Sequence, residues 1–71
     1  MNAREWITAF AVRLGVEAPT NEEFKTLLDL AAEAAHASER VAAPIACWVA
    51  AKAGAQPEDA LSAARDVSVD G

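Results

Sequence analysis

The chain has 71 residues, a net charge of −5 and a sequence pI of about 4.6. That length allows one domain at most. A surface that holds phosphates must first neutralise them, and the six lysines and arginines here are scattered, so nucleic acid and anionic membrane are excluded as expected partners.

Hydrophobic residues make up 54% of the chain, but 19 of them are alanine. Alanine buries little area, although it lets helix backbones approach closely. The larger apolar groups expected to lead the core are Trp6, Ile7, Phe10, Leu14, Phe24, Leu27, Leu28, Leu30, Ile45, Trp48, Val49 and Leu61. The two tryptophans are expected to anchor it, with a partner surface as the alternative role for one of them. No period-two run of β-branched residues occurs, and the alanine content favours helix throughout. The expected fold is all-α, a compact bundle of four short helices over residues 2–14, 21–38, 44–53 and 57–67, forming a single domain over 1–71.

The first helix opens on a capping box. Asn2 is a good N-cap and Glu5 stands three residues later. Trp6, Phe10 and Leu14 follow at steps of four and form one apolar stripe. Gly15 ends the helix. VEAPT is a connector.

The second helix opens on another capping box, Thr20 with Glu23. Phe24, Leu27, Leu28, Ala31, Ala34 and Ala35 define its apolar face. Glu22, Lys25, Asp29, Glu33 and His36 fall on the opposite side at about 100° per residue. The third helix starts near Pro44, a favoured first-turn residue, carries Ile45, Trp48, Val49 and Lys52, and stops at Gly54. The fourth starts at Pro57 with Glu58 and Asp59 in its first turn. Its inward residues are Ala60, Leu61 and Ala64, with Val67 a further candidate. The closing SVDG is expected to fray.

Little in the chain suggests catalysis. One histidine and one cysteine are thin material for a metal site. The three glycines are isolated, so no phosphate-cradling loop is present. Cys47 reads as a small core residue. It allows no intrachain disulfide, which fits a reducing cytoplasm. MNAREWITAF lacks the basic start and long apolar core of a signal peptide. The longest apolar run, VAAPIACWVAA, is too short to span a bilayer. The expected location is therefore cytoplasmic. Size, acidity and four helices suit an acyl carrier, but a carrier's serine opens a helix in a D-S-L motif. The nearest string here, DALS, puts Ser62 inside the last helix. A helix-turn-helix reader needs a basic recognition helix, and neither of the last two helices is basic.

The stretch AAHASERVAAP, residues 34–44, is the candidate site. Glu33 and His36 are three apart and can touch. Arg40 joins that face if the helix continues. As a site, His36, Glu39, Arg40 and Pro44 form a polar edge for a partner or an anion. As plain structure, cations near a helix C-terminus gain about 0.3–1 kcal/mol from the dipole, and Arg40 can donate to the last free carbonyls. The plain reading carries more weight, because exposed helix charges are usually only solvated.

The string REWITAF…LGV…LLDLAAEAAHASERVAAPI…AAG…PEDAL…A resembles a small actinobacterial family of unknown function. Its members occur free-standing and also fused to molybdenum cofactor guanylyltransferase. The resemblance covers nearly the whole chain. Its most specific part runs from Leu27 to Ala31 and then through Ala34, Ala35, His36, Glu39, Arg40, Ala42, Ala43 and Pro44. Trp6 matches the family's early tryptophan. Relatives often place a proline directly after the arginine, where this chain has Val41. The resemblance thus implies a second helix ending near Ala37 or Ser38, with Arg40 in the turn. It implies no catalytic activity and no cofactor. It suggests a helical accessory domain associated with a molybdenum cofactor nucleotidyltransferase. The nucleotide-binding signature of that enzyme is absent here.

The expected function is a non-catalytic interaction module. The alternative is a binder of an anionic metabolite or nucleotide through His36 and Arg40. A homodimer is the third expectation, since thin alanine-rich cores gain stability by association.

Overall fold

A computed structural model describes residues 1–70. It is an all-α bundle of four helices, α1 (Ala3–Leu14), α2 (Asn21–Ala37), α3 (Ala42–Lys52) and α4 (Pro57–Asp70). No described helix is long and apolar enough to cross a membrane.

The helix boundaries follow from local chemistry. At α1 the Asn2 side chain accepts the Glu5 amide at 2.8 Å, and Glu5 Oε1 accepts the Asn2 amide at 2.9 Å. At α2 the Glu23 amide donates to Thr20 Oγ1 at 3.1 Å, and the Thr20 amide donates to Glu23 Oε1 at 2.8 Å. Each reciprocal pair satisfies two backbone donors that helical bonding leaves free. The far ends of α1 and α3 close alike. The Gly15 amide donates to the Val12 carbonyl and the Val16 amide to the Ala11 carbonyl; Gly54 and Ala55 repeat this with Ala51 and Ala50. These are Schellman closures, and both glycines have the positive φ they require, 76° and 72°.

Helix α2 stops at Ala37, as the resemblance implies, where Ser38 leaves the helical region and its hydroxyl donates to the Ala34 carbonyl at 2.7 Å. Two boundaries differ from expectation. Helix α3 starts at Ala42, two residues before Pro44. Its lead-in is a tight turn in which the Ala42 and Ala43 amides donate to the Glu39 and Arg40 carbonyls. Pro44 still lies in the first turn, where its missing N–H costs nothing. Helix α4 continues through Val67 to Asp70, where fraying was expected. Its last turn is held by Ser68, whose hydroxyl lies 2.8 Å from Glu33 Oε2 and 3.1 Å from the Ala64 carbonyl. The shorter, charge-assisted contact ties α4 to α2. Gly71 lies outside the described residues.

Packing centres on α2, which contacts both α3 and α4. The core is small. Leu30, Ala60 and Leu61 are buried together, with Leu27, Cys47, Ala50, Ala55 and Ala64 packed around them. Leu30 is only 3% exposed, although it lies outside the apolar face expected for α2. The reason is that α2 is covered on two sides, so its buried arc is wider than one stripe. Leu28, on the expected face, is exposed, and Glu33, on the expected solvent side, is half-buried against α4.

The tryptophans do not anchor this core. Trp6 and Trp48 are 52% and 61% exposed, and Phe10 and Leu14 are 47% and 61% exposed. Ile45, Val49 and Val67 are exposed as well. The α1 stripe forms as its spacing predicts, with Trp6 and Phe10 stacked at 5.0 Å between centroids. These three side chains stay largely in solvent, and α1 buries only Ala11 beside them. Helix α1 meets the body at the start of α2, through Arg4 Nη1 on Asn21 Oδ1 at 2.7 Å and the Arg4 guanidinium 4.2 Å over the Phe24 ring.

Candidate functional site

The residues of the polar edge come from three consecutive pieces of backbone. His36 is in the last turn of α2, Glu39 and Arg40 are in the connecting turn, and Pro44 is in the first turn of α3. All four are exposed. Among the described residues, no side-chain hydrogen bond or ion pair engages His36, Glu39 or Arg40. The Glu39 and Arg40 backbone carbonyls close the turn, and their side chains project from it.

The structure separates residues that helical periodicity groups together. Because α2 ends at Ala37, Arg40 does not continue the Asp29, Glu33, His36 face. Glu33 turns toward α4, bonding Ser68 and lying 4.0 Å from Arg65 Nε. That ion pair is long and its arginine is exposed, so it contributes little. The role imagined for Arg40, donating to a free carbonyl at the end of α2, is filled by Ser38 instead. The Arg40 side chain is thus not a structural cap.

One exposed residue extends this edge beyond the expected set. Trp48 lies one helical turn after Pro44 and so shares its side of α3. Lys52 Nζ sits 5.0 Å over the Trp48 ring, which keeps the indole turned outward beside a cation. The sequence signal for Trp48 was only its identity. Periodicity assigns it to an apolar face equally well.

The described residues form an open groove and a smaller cleft. An open apolar groove of about 670 Å³ runs between α2, α3 and α4, with Ala46, Ala50, Ala60 and Ala64 among its lining residues. A smaller cleft of about 370 Å³ lies where the first turns of α2 and α4 meet, and Glu22, Glu23, Glu58 and Asp59 line it. Each of those acids sits at the positive end of a helix, where a carboxylate is stabilised in place. Among the described residues no group of three or more His, Cys, Asp or Glu side chains is arranged to hold a metal ion. Cys47 is half-buried against the core, and that burial pushes its thiol pKa up, which lowers its reactivity.

The chain belongs to the family described as a domain of unknown function (DUF6457). The DUF6457 match covers residues 1–70, so all four helices, α1 included, are parts of the domain. No curated protein and no solved structure matches the chain.

Proposed function

We propose that this domain is a non-catalytic, cytoplasmic interaction module that docks on a metabolic enzyme. Its contact edge is the α2–α3 turn with the adjoining side of α3: His36, Glu39, Arg40, Pro44 and Trp48. The observation that carries this reading is the exposed Trp48, one turn from a proline corner that presents an unengaged Arg40. Tryptophan and arginine are the residues most enriched among those that dominate binding energy at protein interfaces. The first candidate partner is a molybdenum cofactor guanylyltransferase. The support for it is the resemblance to a family whose members occur fused to that enzyme, which is an association between domains and not a mechanism.

The test is an amide NMR spectrum of the labelled domain with and without the guanylyltransferase of the same organism. Selective shifts or broadening across residues 36–48 are expected. Arg40→Ala should weaken binding about tenfold or more, the effect of losing an interface anchor. It should leave folding stability within about 0.5 kcal/mol, as for a surface side chain without partners. An unchanged spectrum at high partner concentration removes the reading.

Capture of an anionic metabolite or nucleotide by His36 and Arg40 is the weaker alternative. The turn lies between the negative end of α2 and the positive end of α3. The two helix dipoles therefore offset each other where the anion would sit.

A further inference from the structure

Among the described residues two apolar surfaces stay open to solvent, one convex and one concave. One is a ridge, the α1 stripe of Trp6, Phe10 and Leu14, whose large side chains are exposed on a helix that buries only Ala11. The other is the groove between α2, α3 and α4. Alanines make up most of its lining, Leu30 lies at its base, and Ile45, Val49 and Val67 stand exposed along it. The ridge offers large knobs and the groove offers space between small residues. Their lengths also agree. Twelve residues of α1 and eleven of α3 each span roughly 17–18 Å.

The surface area shows how much is left uncovered. The chain exposes 5581 Å², whereas a compact monomer of 7.4 kDa exposes roughly 4,200 Å². The radius of gyration, 12.5 Å, likewise exceeds the value of about 11 Å for a compact chain of this length. The excess of about 1,400 Å² is more than the ~800 Å² each partner gives to a standard stable interface. The groove lies against the C-terminal half of α2, from Leu30 to Ala37, while Arg4 joins α1 to Asn21 and Phe24 at the opposite end. In this arrangement α1 does not fill the groove of its own chain.

We propose that α1 of one copy seats Trp6, Phe10 and Leu14 in the α2–α3–α4 groove of a second copy, and the second copy reciprocates, giving a two-fold dimer. Each copy supplies one ridge and one groove, so the contact closes after two chains and does not propagate. The dimer stands independently of the partner reading, since none of His36, Glu39, Arg40, Pro44 and Trp48 lines the groove.

Sedimentation of the full chain over three decades of concentration tests this. The expected result is a shift from monomer to dimer. Trp6→Ser with Phe10→Ser removes the ridge and keeps the groove. Ala63→Lys blocks the groove and keeps the ridge. It adds a positive charge to an acidic chain, so any loss of association does not come from like-charge repulsion. Each variant alone should associate on the order of a hundredfold more weakly. Mixed, the two should form a heterodimer at the upper concentrations, because the intact ridge of one meets the intact groove of the other. Circular dichroism establishes that each variant is folded. If Ala63→Lys is not, Val67→Lys at an exposed groove position takes its place. A wild-type chain that stays monomeric overturns the proposal, including the case in which α1 swings onto its own groove. So does a folded groove variant that dimerises like wild type, which would mean ridge-on-ridge contact. Failure of the two variants to combine overturns it as well.

Discussion

Cys47 shows how a single side chain reports on this small core. It packs against the Leu30, Ala60 and Leu61 cluster, and burial disfavours its thiolate. Its folded pKa is therefore above its unfolded value. The neutral thiol is compatible with the core at neutral pH, and the fold loses stability as pH rises through the unfolded pKa. Alkylation of the native protein near pH 8 is expected to run several-fold slower than that of the urea-unfolded chain. Equal rates would show that Cys47 is open to solvent. The glycines present a different case. Gly15 and Gly54 have open space where a Cβ would project, so only their left-handed backbone demands glycine. Both, like the capping residues, were legible in the sequence because their role is set within a few residues of chain. Glu33 was not. Its angular position on α2 suggests solvent, and only the course of α4, 35 residues further on, supplies the Ser68 hydroxyl that engages it.

At the scale of elements, helix starts were legible and helix neighbours were not. An amphipathic stripe states which side of a helix prefers burial without stating what buries it. Trp6, Phe10 and Leu14 remain exposed, whereas Leu30 is covered because α2 lies between two helices. The two capping boxes have the same chemistry, but their helices are coupled to the core to different degrees. Thr20→Ala should lower global stability by about 1 kcal/mol, the usual value of an N-cap, because α2 carries the core. Asn2→Ala should reduce the helicity of α1 while leaving the denaturation midpoint of a dilute sample nearly unchanged. Urea titrations followed by circular dichroism compare the two. Equal midpoint shifts would mean that α1 is an integral part of the cooperative unit.

At the scale of the molecule, the all-α class and the four-helix count followed from alanine content and capping signals, while the groove was hidden. Alanines that could close a tight helix–helix seam instead line an open space between α3 and α4. The two tryptophans allow the fate of that space to be followed in solution. In a Trp48→Phe background the emission of Trp6 should move to shorter wavelength as concentration rises and the ring leaves water. In a Trp6→Phe background the emission of Trp48 should stay constant, since Trp48 lies outside the groove. A concentration-independent Trp6 spectrum would leave the ridge exposed and the groove vacant.

The attachment of α1 through Arg4 has a consequence for how the chain responds to stress. The hydrogen bond to Asn21 and the contact over Phe24 are local, α1 buries only Ala11, and no residue of α1 belongs to the Leu30, Ala60 and Leu61 cluster. Helix α1 can therefore detach or melt while the other three helices stay folded, an opening that draws on only a fraction of the global free energy. The domain has two thresholds of disorder instead of one. The lower belongs to the arm that carries the largest apolar side chains, so the part best suited to grip another molecule is also the part freest to let go.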